Sequence, residues 1–175
     1  MLQFRLTEKA RKLFRFRAEN LSEPVESDAF LGNWYVNIFR LGGDHTIIFM
    51  SEKTCLSFVL LNVREDHAEV LGNAFVNGLD HLLDEEKFSE RSKRRIFEGI
   101  DMMELAKTTN RSLLAKMSAI EALYLRLVER AGGLHQCDIL EIMKRVNRFP
   151  SAKLDYLSPL KATKKLLRNS DEQLH

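Results

Sequence analysis

The chain has 175 residues, of which 45% are hydrophobic and 30% are charged, and its formal net charge is +2. A chain of this length and composition can bury a hydrophobic core, so it is not a largely disordered protein. The two cysteines, Cys55 and Cys137, lack a C-x-x-C spacing, which argues against a disulfide framework or a structural zinc site.

The sequence contains no recognisable targeting or membrane segment. The basic N-terminus, residues 1–17, lacks the unbroken apolar stretch of a signal peptide. The longest apolar run, Cys55 to Leu61, is much shorter than a membrane span and is interrupted by Ser57. We therefore expect a cytoplasmic protein without a membrane partner.

Charge is distributed unevenly along the chain. The net charge is +4 over residues 1–20, −9 over residues 21–90 and +7 over residues 91–175. Such asymmetry can mark a nucleic-acid-binding half. It also arises when acidic and basic parts face each other within the fold or across a dimer, so both interpretations stay open.

The N-terminal part has the pattern of β-strands. Apolar residues alternate with polar ones from Leu2 to Leu6, which predicts a half-buried strand, and Thr7 is placed to cap a short helix. Residues 19–32 are polar, contain Pro24 and are predicted to form a loop. Three further strands are predicted, joined by turns so short that the strands must be antiparallel. They are Trp34 to Leu41, His45 to Met50 and Thr54 to Leu61.

The strand from Trp34 to Leu41 is apolar on both faces. An antiparallel strand with one face in water should alternate more cleanly. We therefore expect this strand at the centre of the sheet, with Trp34 buried and both faces covered by helices or by a second subunit. The second possibility predicts a homo-oligomer.

From residue 62 onward the hydrophobic spacing becomes helical. Helices are predicted over residues 62–82, 86–106, 110–131 and 135–148, and Ser158-Pro159 opens a short basic helix. The sequence therefore predicts an α+β fold with a small antiparallel sheet of about four strands, packed by helices, and a mostly helical C-terminal half. We expect residues 1–131 to form the α+β core and residues 132–175 to form a helical extension packed on the same domain.

One candidate site lies where two predicted helices meet. Free N–H groups at a helix N-terminus, a guanidinium and nearby hydroxyls can together hold a phosphate or a carboxylate. The alternative is that Thr109 or Asn110 only caps the helix and Arg111 is a surface charge. An ion pair of Arg111 with Asp101 or Glu104 would favour that alternative. The residues of this candidate site are Thr109, Asn110, Arg111 and Ser112.

A second candidate consists of Trp34 and Asn37 in the aromatic strand. Asn37 stands in an otherwise apolar strand, and a buried amide must be hydrogen-bonded. The pattern is compatible with a ligand contact and with a structural bridge to a loop.

Three stretches together resemble a bacterial family of domains of unknown function. They are Met1 to Lys9 (MLQFRLTEK), Leu31 to Asn37 (LGNWYVN) and Thr109 to Met117 (TNRSLLAKM), and the resemblance covers about residues 1–125. Where the family usually has Gly-Ser-Met-Asn, this chain has Ala115-Lys116-Met117-Ser118. The resemblance implies a shared fold and a bacterial, mobile-element or phage-type origin, and it transfers no catalytic residue.

No pattern predicts a metal site or a cofactor. Each of three histidines follows an aspartate directly, and adjacent side chains point in different directions, so these pairs are not Asp–His dyads. His67 and His81 are 14 residues apart, about 21 Å along a helix, and cannot share one metal ion. The sequence also lacks a P-loop and the G-x-S-x-G and G-x-G-x-x-G motifs.

The last helix is a candidate for binding nucleic acid. Four of its cations are spaced so that they share one side of the helix, within reach of a phosphate backbone. A solvated helix face produces the same pattern. The four residues are Lys161, Lys164, Lys165 and Arg168.

Together these features favour a non-catalytic intracellular interaction module that binds nucleic acid or a partner protein. A phage-defence or toxin–antitoxin setting is the expected context. The alternative is a small enzyme acting on a phosphate-containing substrate held by Asn110, Arg111 and Ser112. An enzyme would need titratable groups that converge on a cleft, whereas a binding module needs only a basic face.

Overall fold

The computed structural model describes residues 1–173 and confirms the α+β class. Five strands form one sheet in the order β4-β3-β2-β1-β5. They are β1 (Leu2–Leu6), β2 (Trp34–Leu41), β3 (Asp44–Ser51), β4 (Ser57–Leu60) and β5 (Met103–Lys107). β2, β3 and β4 form the predicted antiparallel meander.

The sheet is mixed, because β1 runs parallel to both of its neighbours, β2 and β5. It therefore differs from the predicted antiparallel sheet of about four strands. Parallel neighbours require a long crossover, and residues 7–33 provide it between β1 and β2, while residues 61–102 carry the chain from β4 at one edge of the sheet to β5 at the other. Local alternation predicts that a strand exists, and it does not predict the direction in which a distant strand pairs with it.

Six α-helices pack around the sheet within the described residues. Thr7, Asn110 and Ser158 cap three of them, each accepting a hydrogen bond from a backbone N–H in the first turn at 3.0–3.3 Å. The helices are α1 (Glu8–Leu13), α2 (Leu71–Glu85), α3 (Glu90–Phe97), α4 (Arg111–Arg130), α5 (Ile139–Val146) and α6 (Pro159–Glu172).

Both faces of the sheet are covered by helices of the same chain. On one face, side chains of β1 to β4 pack with α2, α3 and Leu167 of α6. Trp34 is fully buried there, edge-on to Phe58 and Phe75 at centroid distances of 5.8 and 5.0 Å. On the other face, residues of β2 to β4 pack with α4 and α5. The prediction that β2 lies at the sheet centre with Trp34 buried is confirmed.

The prediction of one helix over residues 86–106 is wrong in its second half. α3 ends at Phe97 and β5 begins at Met103. Between them Gly99 has a φ of +81°, which is not helical, and a Cβ there would lie 3.1 Å from the Cα of Ala29. Met103 to Lys107 then pair with β1 along its whole length. This partner is about 100 residues away in sequence, so helical spacing alone gave the wrong element.

Asn147, which is fully buried, connects the C-terminal helices to the edge strand β4 by hydrogen bonds. The backbone N–H of Ser57 donates to Asn147 Oδ1 at 2.9 Å, and Asn147 Nδ2 donates to the Ser57 carbonyl at 2.8 Å. Leu160 at the start of α6 donates its N–H to the Asn147 carbonyl at 3.0 Å. The side chain and the backbone carbonyl of this one residue therefore join the end of α5, the start of α6 and the sheet.

Candidate functional site

The segment before α4 is used partly for structure. Asn110 Oδ1 accepts the N–H of Leu113 at 3.0 Å and caps the helix. Tyr35 of β2 is buried against this segment. Burial raises the pKa of Tyr35, while the Asn110 backbone amide and the Thr109 hydroxyl act in the opposite direction. Thr109 and Asn110 therefore link the helix N-terminus to the central strand.

The other two residues of the segment face solvent. Ser112 is exposed, and its Oγ accepts a hydrogen bond from Lys153 Nζ at 3.1 Å. Arg111 is also exposed, and no carboxylate of residues 1–173 lies within 4 Å of its guanidinium. Arg111 therefore lacks the ion pair with Asp101 or Glu104 that would favour a structural role. It also lines none of the five main concavities of the described residues.

Asn37 bridges three elements. Its Nδ2 donates to Glu121 Oε1 of α4 at 2.6 Å, and its Oδ1 accepts from the hydroxyl of Thr7, the α1 cap. Asn37 is only 8% exposed, so these bonds satisfy an amide that water cannot easily reach. Trp34 lies on the opposite face of the sheet, and the structure therefore does not bring these two candidate residues together.

Glu121 is a residue that the sequence analysis missed. Burial raises the pKa of its carboxyl group, and both the hydrogen bond from Asn37 and the charge of Lys9 lower it. A signal was available, because Glu121 lies four residues after Met117 and three before Tyr124, inside the predicted apolar stripe of α4.

The uneven charge of the chain is partly balanced within the fold. Lys93 Nζ lies 2.8 Å from Asp80 and 2.6 Å from Asp84, so the basic C-terminal segment meets the acidic segment there. Arg148 makes a bidentate pair with the buried carboxylate of Glu86, at 2.6 and 2.7 Å. Cations that remain without such partners are therefore the ones to consider for binding.

Those cations include the four predicted residues of α6, here called the α6 stripe. All four side chains are exposed, and no carboxylate of the part of the chain that the structure describes lies within 4 Å of any of them. The ammonium group of Lys164 also lies 5.7 Å from the ring centroid of Phe88. The α6 stripe consists of Lys161, Lys164, Lys165 and Arg168, which span about 10 Å of helix.

A concave site borders the stripe and is here called the lysine cleft. It has a volume of about 380 Å³, and three lysines and one aspartate line it. Lys53 Nζ donates to the carbonyls of Ala29 and Phe30 at 3.3 and 3.2 Å. Each ammonium has three donors, so unused donors remain on all three lysines. Its walls are Lys53, Thr54, Lys153, Leu154, Asp155, Leu157, Ala162, Lys165, Leu166 and Asn169.

The lysine cleft connects two predicted groups that are far apart in sequence. Lys165 belongs to both the cleft and the α6 stripe, and Lys153 reaches Ser112 at the start of α4. Lys153 and Lys116 also lower the pKa of the Cys55 thiol, although burial raises it more strongly, so Cys55 is a core residue beside this surface. Lys53 and Lys153 have no local sequence signal, because only folding brings them to α6.

A larger depression of about 670 Å³ lies between α1 and the end of β2. Its apolar lining residues are Leu13, Ile38 and Phe39. The charge of Lys12 on its rim is shared with Glu8 at 3.6 Å. Lys9 and Arg40 also line this depression, and neither has a carboxylate of the described residues within 4 Å, so this concavity is basic as well.

Within residues 1–173 no three or more His, Cys, Asp or Glu side chains are grouped so that they could hold a metal ion. None of the helices in this part of the chain combines the length and the apolar character needed to cross a membrane.

Comparison with known proteins gives a family and no activity. Residues 3–168 match the family described as Domain of unknown function (DUF6933). No curated protein matches the chain. The match covers nearly the whole described fold, from β1 to the Arg168 end of the α6 stripe, and the chain therefore belongs to the DUF6933 family.

Proposed function

We propose that this protein is a non-catalytic module that binds nucleic acid through the α6 stripe and the adjoining lysine cleft. The observation that carries the proposal is the exposure of four cations on one helix side, with no carboxylate of the described residues within 4 Å. Cations without a carboxylate partner are free to pair with a phosphate backbone, whereas Lys93 and Arg148 already pair with carboxylates of the same chain.

Concave shape adds to this argument on both sides of α6. The lysine cleft lies along one side of the helix, and a smaller cleft of about 290 Å³ lies along the other, lined by Arg91, Arg94 and Arg95 of α3 together with Glu98 and Asp171. Arg91 pairs with Asp171 at 3.2 Å, so this second cleft is less basic. A nucleic-acid strand lying across α6 would contact the α6 stripe and then the lysine cleft.

The proposal is tested by a matched pair of double variants. Lys161→Gln with Lys165→Gln removes two charges spaced by one helical turn from the stripe. Arg126→Gln with Arg130→Gln removes two charges at the same spacing from α4, where Arg126 stands about 21 Å along the helix from Ser112. Both control arginines are exposed, and neither has a carboxylate of residues 1–173 within 4 Å.

We expect the stripe variant to bind fluorescein-labelled DNA and RNA roughly tenfold more weakly, because it loses two phosphate contacts. The slope of log affinity against log salt should fall by about 2, while the control variant keeps the slope of the unmodified protein. Fluorescence anisotropy over a salt series measures both quantities. Equal losses in the two variants, or no binding by the unmodified protein, would contradict the proposal.

An enzyme acting on a phosphate-containing substrate is the second candidate, and the contact of Lys153 with Ser112 favours it because it joins the predicted anion segment to a cleft. Cleavage of the same labelled strands, read on a denaturing gel, would support this candidate. The phage-defence or toxin–antitoxin setting stays a prediction, and the neighbouring genes would test it.

A further inference from the structure

An exposed aromatic side chain stands beside the lysine cleft. Tyr156 is 77% exposed, the largest fraction among the exposed large hydrophobic side chains of the described residues. Its neighbours in sequence, Asp155 and Leu157, both line the cleft, so the backbone of Tyr156 lies at the cleft rim. The ring is therefore accessible to a partner that also contacts the three lysines of the cleft.

The backbone holds this residue in a fixed position. Asp155 and Tyr156 have φ values of +52° and +64°, a left-handed conformation that a bulky residue rarely adopts. The turn is closed by Ser151, whose N–H donates to the Leu157 carbonyl at 3.0 Å and whose carbonyl accepts the N–H of Tyr156 at 2.9 Å. Tyr156 therefore lies on a short turn that two backbone hydrogen bonds close.

We infer that the surface takes single-stranded nucleic acid, with a base stacked on Tyr156 and an adjacent phosphate in the lysine cleft. This inference rests on the proposed function and adds the class of nucleic acid. Bases are available for stacking only where they are unpaired, because in a duplex each base already stacks on its neighbours. A ring beside a groove of cations is the arrangement by which proteins hold single strands without reading sequence.

The lysine cleft fits the phosphate part of this ligand. The charges of Lys53, Lys153 and Lys165 exceed the one charge of Asp155, which has no cation of the described residues within 4 Å. Thr54 and Asn169 add polar groups to the walls. The 2′-hydroxyl is not required for stacking on Tyr156, so DNA and RNA strands share the chemistry that this surface recognises.

The test replaces Tyr156 by asparagine and, separately, by phenylalanine. Asparagine tolerates the left-handed conformation better than tyrosine does, so Tyr156→Asn should keep the turn and the melting temperature. Tyr156→Phe keeps the stacking ring. We expect the unmodified protein to prefer a single strand over a duplex of the same sequence. Tyr156→Asn should bind the single strand about tenfold more weakly, with duplex binding unchanged, and Tyr156→Phe should bind both probes normally.

Anisotropy with labelled single-stranded DNA, single-stranded RNA and duplex DNA separates the outcomes. If Tyr156→Asn binds the single strand as the unmodified protein does, or if the duplex is preferred, the inference is overturned and the α6 stripe proposal stands. If no probe binds the unmodified protein, the proposed function itself fails and the inference fails with it. A difference between the DNA and RNA strands would show which of them the surface prefers.

Discussion

At the scale of single residues, Asn37 and the partly buried Glu121 form a hydrogen-bonded pair between β2 and α4. Asn37 donates to Glu121 at 2.6 Å, and this bond favours the charged carboxylate. Burial acts more strongly in the other direction and raises the pKa of Glu121 above its usual value. The folded protein therefore binds a proton at Glu121 more readily than the unfolded chain does.

This shift predicts a pH-dependent effect of Glu121→Gln, which keeps the acceptor for Asn37 and cannot ionise. A raised pKa in the folded state means that ionisation costs stability as pH rises from the unfolded to the folded pKa, with the full cost present above that window. The free energy of unfolding of the variant, relative to the unmodified protein, should be higher near pH 8 than near pH 4. Urea unfolding across this pH range measures the difference.

Glu129→Gln, on the exposed side of the same helix, is the matched control for losing a carboxylate. A Glu121→Gln difference that stays constant over the pH range would contradict the raised pKa of that carboxyl group.

At the scale of elements, a glycine allows α2 to pack closely on β4, the edge strand of the sheet. A Cβ on Gly78 would lie 2.5 Å from Phe58 Cε2, which is part of the aromatic core of that face. A Cβ on Gly72, in the first turn of the same helix, would lie 3.1 Å from the sulfur of Met103, at the end of a flexible side chain. The packing of α2 on Phe58 therefore requires a glycine at position 78, whereas the contact with Met103 does not require one at position 72.

The pair predicts opposite effects of the same substitution. Gly72→Ala should leave stability unchanged or raise it by up to about 1 kcal/mol, because alanine is the better helix former and Met103 can move. Gly78→Ala should lower it by about 1–3 kcal/mol, because the helix gains the same propensity but must move away from Phe58. Denaturant unfolding measures both values. Equal shifts would contradict the close packing of α2 on β4.

At the scale of the whole molecule, the helices that cover both faces of the sheet remove one of the reasons to expect self-association. The sequence suggested that a two-faced apolar strand needs helices or a second subunit, and helices of the same chain cover both faces. The charge imbalance is partly met by internal pairs such as Arg148 with Glu86. Self-association stays a prediction, and light scattering at high concentration in moderate salt measures it.

Asn147 predicts whether the C-terminal helices unfold together with the core. Asn147→Ala leaves the N–H and the carbonyl of Ser57 without their partners in a buried site, so the free energy of unfolding should fall by about 3 kcal/mol. Because the backbone carbonyl of residue 147, which alanine keeps, still accepts the N–H of Leu160 at the start of α6, we expect one cooperative transition at a lower temperature. Calorimetry measures it, and the exposed Asn77→Ala on α2 is the control, with a change within about 0.5 kcal/mol. Two separate transitions would indicate that residues 132–173 unfold on their own.

The sequence by itself determined the features that depend on neighbouring residues. Capping by Thr7 and Ser158 needs only a side chain and the next turn of helix, and helical spacing alone places the four cations of the α6 stripe on one side. The cap of α4 was narrowed to Thr109 or Asn110, and the structure shows that it is Asn110. The apolar composition of β2 likewise predicted its central position, because an interior strand is buried on both faces.

Only the tertiary structure decided the features that join distant segments. β5 is a strand because β1 offers it a parallel partner about 100 residues away, and its own residues carry no sign of that partner. The lysine cleft likewise combines Lys53, Lys153 and Lys165, whose separation in sequence hides their common site. Such contacts depend on how the whole chain closes over its core, and local periodicity contains no information about that closure.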